Sequence, residues 1–228
     1  MSQSIASGQA MPAIPASSSP IVRAGTVLLV LLPLAMWLAN RSAPLVLGLA
    51  ALCFAAAAVA RFGWAAWLSR LRGVLGGAVG LSLCGFLAWS LLTVAWSHRP
   101  IQSLAMWGEF ALPLTSGVVI VASGCFRPER AESRALAVAV IAAAAFMMAE
   151  LATGLSARIA FDIGKQVTYI FNRPALTCLV LLPAAAAGLL AGKGAAPADR
   201  LLCAALFFAV AGIAIYSDSG ASGLGLLI

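Results

Sequence analysis

The residues best suited to chemistry are concentrated in one stretch. Between two apolar runs, the connection from Gly154 to Arg173 carries three basic side chains, Arg158, Lys165 and Arg173. Arginine presents a planar fork of donors that matches phosphate oxygens, so the stretch suits an anion such as a lipid-linked pyrophosphate. Arg173 is the foremost candidate. Pro174 can open the next helix, which leaves Arg173 at a helix start whose free amides also favour anions. The alternative is that these side chains simply snorkel to lipid headgroups.

Two carboxylates, Glu109 and Glu150, fall inside apolar runs, where an ionisable group is costly enough to raise a functional question. Both lie near the predicted ends of their helices, Glu109 about one turn in, so each could meet water or a loop arginine. Structural pairing is the simpler role and a proton relay the sharper one. The single histidine, His98, sits in the turn Trp96-Ser97-His98-Arg99-Pro100, and an exposed turn histidine is the favoured reading because no partner for general-base work is visible. Gly76 and Gly80 form a GxxxG pattern suited to close helix packing. No Walker loop, HExxH or nucleophile elbow occurs, and no metal site or cofactor is expected.

The elements that must hold these residues follow from composition. Of 228 residues, 63% are hydrophobic and 9% charged, too few charges for a water-soluble domain. In lipid, only helices and closed barrels satisfy their own backbone groups. The continuous Ala- and Leu-rich runs exclude the alternating pattern of barrel strands. The fold class is therefore all-α, a polytopic transmembrane helical bundle. With about 20 residues needed per span, the helices are predicted at 24–38, 43–60, 74–95, 104–124, 135–153, 175–192 and 201–216, and a truncated eighth at 221–228.

The net charge of +7 is spread singly and in small groups between apolar runs, so no basic face exists to track a nucleic acid. Cys53, Cys84, Cys125, Cys178 and Cys203 have no CxxC spacing and read as small core residues. Residues 1–22, rich in Ser, Ala and Pro before the first basic residue Arg23, are expected to be a disordered tail, with the membrane domain covering 23–228. Of the 14 Lys and Arg residues, nine fall on the side of the N-terminus and five on the other. This bias predicts a cytoplasmic N-terminus. The Gly154–Arg173 connection, with three of the five, runs against the rule.

Three segments resemble the O-antigen ligase and polymerase superfamily of bacterial inner-membrane enzymes. Trp96-Ser97-His98-Arg99-Pro100-Ile101-Gln102-Ser103-Leu104 is similar to that family's WS-x-x-P-x-x-SL turn. Phe171-Asn172-Arg173-Pro174-Ala175 is similar to its N-R-G/A segment, with Pro174 where a small residue is usual. Ser217-Asp218-Ser219-Gly220-Ala221-Ser222 resembles a Ser-rich segment that opens a later helix. The resemblance implies a GT-C-like fold and inverting, metal-independent transfer of an undecaprenyl-pyrophosphate-linked glycan to lipid A-core on the periplasmic side. It implies donor contacts from Arg173, Asn172, Arg158 and Lys165. The family's activating histidine does not match His98 and is expected beyond Ile228, on a chain about twice this length. Rival expectations are polysaccharide polymerisation or exopolysaccharide biosynthesis on the same fold, and a small secondary transporter, which would show an inverted repeat.

Overall fold

The computed structural model describes residues 19–126, 128–162, 167–191 and 196–217, and no strand occurs among them. In chain order the helices are α1 (Pro20–Leu38), α2 (Ala43–Phe62), α3 (Trp64–Gly76), α4 (Ala78–Leu92), α5 (Pro100–Ser123), α6 (Arg130–Ala152), α7 (Ser156–Ala160), α8 (Asn172–Leu190) and α9 (Pro197–Tyr216). Short 3₁₀ turns at Thr93–Trp96 and Thr168–Phe171 extend α4 and lead into α8. Seven of these segments are long and apolar enough to cross a membrane, which makes the chain a multi-pass membrane protein. Because successive spans alternate in direction, the connections at 39–42, 97–99 and 153–162 share one end of the bundle, called here the far end. The start of α1 lies at the near end.

Most predicted helices are present but begin earlier than expected. Proline at the first or second helical position starts α1, α2, α5 and α9, where its missing N–H costs nothing. At α6, Glu129 and Glu132 cap each other, with the Glu129 amide donating to Glu132 at 2.8 Å, so the helix starts at Arg130 rather than at 135. Helix α1 takes in residues 20–22, which were expected to belong to the tail, while 1–18 lie outside the described residues. Helix α8 begins at Asn172, so Pro174 is its third residue rather than its first. The expected eighth helix lies outside the described residues, as does Ser217-Asp218-Ser219-Gly220-Ala221-Ser222 beyond its first residue.

The third predicted helix is the one that differs in kind. Trp64–Gly76 forms a separate helix, α3, with Trp67 buried and the rest of its length largely at the surface. The chain then turns at Gly77 into α4. Of the Gly76/Gly80 pair only Gly80 is closely approached, and at this corner rather than between distant helices: a Cβ on Gly80 would lie 2.6 Å from the Leu75 Cα, whereas one on Gly76 would meet nothing within 4 Å. Only glycine lets the two helices approach that closely.

Two clusters of buried side chains hold the bundle. One joins α6, α8 and α9 through Val140, Met147, Phe171, Leu189, Leu206 and Ile213. The other joins α2, α3 and α5 with the start of α1 through Phe54, Ala58, Trp67 and Ile120. Helix α1 packs against α2, α6 and α8 and so ties the clusters together. Small residues allow the close approaches: Ala137, Ala143 and Ala144 are buried on α6, and a Cβ on Gly25 would meet the Phe54 ring at 3.0 Å. Of the cysteines, Cys125 and Cys178 are buried as expected, but Cys84 is exposed on the lipid-type surface of α4. Helix α4 is the least embedded span, with Val79 and Trp89 turned outward, and it forms one wall of the site described next.

Candidate functional site

At the far end, α1, α2, α4, α5 and α8 enclose a cavity of about 1310 Å³. Its deeper wall is apolar, formed by Leu32, Met36, Leu47, Leu114, Val180 and Leu181. Its mouth is polar, with Asn40, Arg41, His98, Arg99, Gln102, Glu109 and Arg173. Its lining thus holds three arginines and a single carboxylate, and two of the three, Arg41 and Arg173, pair with that carboxylate.

Glu109 organises that mouth. It is the tenth residue of α5, between two and three turns in, because the helix begins at Pro100; it is thus deeper than the single turn expected. Its Oε1 forms an ion pair with Arg41 Nη1 at 3.1 Å, and its Oε2 accepts a hydrogen bond from Arg173 Nη1 at 2.9 Å. One carboxylate thus joins the connection after α1, the middle of α5 and the start of α8. Pro113, one turn further on, has no N–H to offer the Glu109 carbonyl, so the helix loses a backbone bond at the same level. The arginines keep unused donors, since each makes one contact to Glu109 and both side chains remain substantially exposed.

The turn from Trp96 to Leu104 forms the opposite lip. Ser97 and Ser103 share a hydrogen bond of 2.6 Å, and the Arg99 amide donates to Ser97 Oγ at 3.2 Å. The Arg99 side chain reaches Gln102 at 3.5 Å. The two serines and the proline of this motif therefore shape a turn, while Arg99 and His98 are what it presents. Trp107 secures the wall behind it, its indole N–H donating to Leu87 O at 3.2 Å and Ser90 Oγ at 3.1 Å on α4.

Of the residues singled out from sequence, Arg173 lies on the cavity and His98 is exposed on its rim. Arg158 does not face the cavity. It is buried, its guanidinium donating to the Trp37 carbonyl at the end of α1 and its Cζ lying 4.9 Å from the centre of the Phe171 ring. Burial pushes the Arg158 guanidinium below its ordinary value, and neighbouring Glu150 acts in the opposite direction. Glu150 is itself buried near the end of α6, with Oε2 lacking a hydrogen-bond partner. Asn172 opens α8 beside Arg173 but has its Oδ1 buried and unpartnered, outside the cavity lining. Lys165 lies outside the described residues.

Neither Arg41 nor Arg99 stands out as a ligand by its own sequence context, yet both belong with Arg173 to the same group of far-end basic residues. Their convergence on one cavity depends on helix packing. Among the described residues no cluster of three His, Cys, Asp or Glu side chains is placed to hold a metal ion. The arrangement can bind an amphiphile: an anionic head at the arginine-lined mouth and an apolar tail against the leucine-rich wall. No family model, curated protein or solved structure matches this chain.

Proposed function

We propose that this chain is an O-antigen ligase-like glycosyltransferase of the bacterial inner membrane, with its N-terminus cytoplasmic and its far-end cavity open to the periplasm. On this reading the cavity binds an undecaprenyl-pyrophosphate-linked glycan, and lipid A-core is the acceptor. The observation that carries the reading is the pairing, in one cavity, of an apolar wall with a mouth where three arginines outnumber one carboxylate. An unbranched anionic metabolite would have no use for the wall, and a neutral lipid none for the mouth.

In the transfer, an acceptor hydroxyl attacks the anomeric carbon of the glycan as the bond from that carbon to the diphosphate oxygen breaks. The configuration inverts and the diphosphate leaves on its lipid. Negative charge grows on the leaving oxygen, and Arg173 and Arg41, already placed at the mouth, are suited to neutralise it. The resemblance assigns the base that takes the hydroxyl proton to a histidine other than His98. The GT-C-like architecture belongs to this same reading. Elongation of a polysaccharide would use the same donor site with a glycan in place of lipid A-core.

The test is a pair of titrations of the protein in lipid nanodiscs, with undecaprenyl diphosphate and with undecaprenol, followed by tryptophan fluorescence. The diphosphate should bind more tightly, and the difference should shrink as salt rises. Equal binding of the two lipids would overturn the reading. Sidedness is checked separately: a cysteine at Phe161 should react with a membrane-impermeant maleimide applied from the periplasm.

A further inference from the structure

Arg158 has the chemistry of an anion ligand but the position of a strut. It sits on α7 and reaches two other segments at once: its guanidinium donates to the Trp37 carbonyl, and its Cζ lies 4.9 Å from the Phe171 ring centre. Trp37 is the penultimate residue of α1, where a carbonyl has no partner within its own helix. Phe171, fully buried, is the last residue before α8. Arg41 follows Trp37 by one helical turn's worth of chain, and Arg173 follows Phe171 by two residues. The two segments that Arg158 joins are thus the two that deliver arginines to Glu109.

The backbone is bent to place it there. Just before α7, Gly154 and Leu155 both adopt φ of 65°, and the Leu155 amide donates to Glu150 O at 2.7 Å. Left-handed backbone is natural for glycine but unfavourable for leucine, and such strain persists only where surrounding contacts enforce it. Leu155 is buried in the α6/α8/α9 cluster, which supplies that enforcement.

We infer that Arg158 is a positioning residue for the cavity: it fixes the end of α1 against the start of α8, so that Arg41 and Arg173 converge on one bound anion. The inference rests on the anion-binding reading of the cavity. It gives the buried guanidinium a role in recognition without contact to the ligand. Glu150 accompanies it as a nearby countercharge.

The test removes the strut without stranding a charge, through Arg158→Met combined with Glu150→Gln. Two quantities are read in nanodiscs. One is the distance between nitroxide labels on cysteines introduced at Leu38 and Leu176, with the five native cysteines replaced by alanine. The other is the preference for undecaprenyl diphosphate over undecaprenol. The parent should give a narrow distance distribution. The double variant should broaden it and lose about tenfold or more of the diphosphate preference, as expected when binding groups are misplaced by an ångström or so. Undecaprenol binding should stay close to the parent value, which a general loss of folding would not allow. An unchanged distance distribution, or a broadened one with the preference intact, would overturn the inference while leaving the cavity reading in place. A parent with no diphosphate preference would overturn both.

Discussion

Each end of the bundle sets one carboxylate against two arginines, and the two ends use the same chemistry differently. At the near end, Asp199 in the first turn of α9 has a side chain only 1% exposed and receives Arg134 on both oxygens, at 2.6 and 3.1 Å. Arg130 approaches at 3.8 Å and also donates to the Ala191 carbonyl at 3.1 Å. At the far end, Glu109 is 30% exposed and meets each arginine through one contact. The near-end carboxylate has both oxygens and both cations committed to joining α6 to α9. The far-end carboxylate leaves its arginines with free donors over a cavity. A fork-to-fork pair closes a joint, whereas single contacts pre-place cations that a second anion can still reach.

The largest effect that tests this contrast should come from Asp199→Ala. It leaves two guanidinium groups facing a buried helix start and removes the negative charge that favours that terminus. The unfolding temperature in detergent should fall further than for any far-end substitution. A fall no greater than that of Glu109→Gln would show that the two ends do not differ in this way. Next in size is Arg173→Ala, which should weaken undecaprenyl diphosphate binding by about ten- to a hundredfold, the effect of removing charge-assisted hydrogen bonds. Its unfolding temperature should stay near the parent value. Below it, Arg134→Lys keeps the charge but not the fork, so the near end should lose some thermal stability and less than in Asp199→Ala. Full retention would mean that charge alone holds α6 to α9.

Sequence made the spans visible because apolar runs of sufficient length have few other uses. Their beginnings were harder to place. Pro100 to Ser103, Arg130 to Arg134 and Pro197 to Arg200 are polar or charged, yet proline and the Glu129/Glu132 cap draw each into its helix. Helix α3 was hidden for the opposite reason. Trp64, Trp67 and Leu71 have helical spacing, but Arg61, Arg70 and Arg72 made the segment read as a connection. For the site, the charge bias picked out Arg173 and an arginine partner was foreseeable for Glu109. That the partners are Arg41 and Arg173 depends on how α1, α5 and α8 pack. Arg158 shows the limit most clearly, because residue type and loop location suggested a ligand and only burial reveals a strut.

Glu109→Gln gives the smallest expected effect and separates two ways of reading the far end. The carboxylate both competes with an incoming anion and holds the arginines near each other. Half-exposed ion pairs contribute little, so its loss should cost little stability, and the freed guanidinium groups should bind undecaprenyl diphosphate about two- to fivefold more tightly. Glutamine still offers an oxygen to one arginine, which preserves part of the geometry. If binding instead weakened as much as in Arg173→Ala, arrangement would outweigh competition. Glu109 would then be a joint like Asp199, one whose closure happens to leave a cavity beside it.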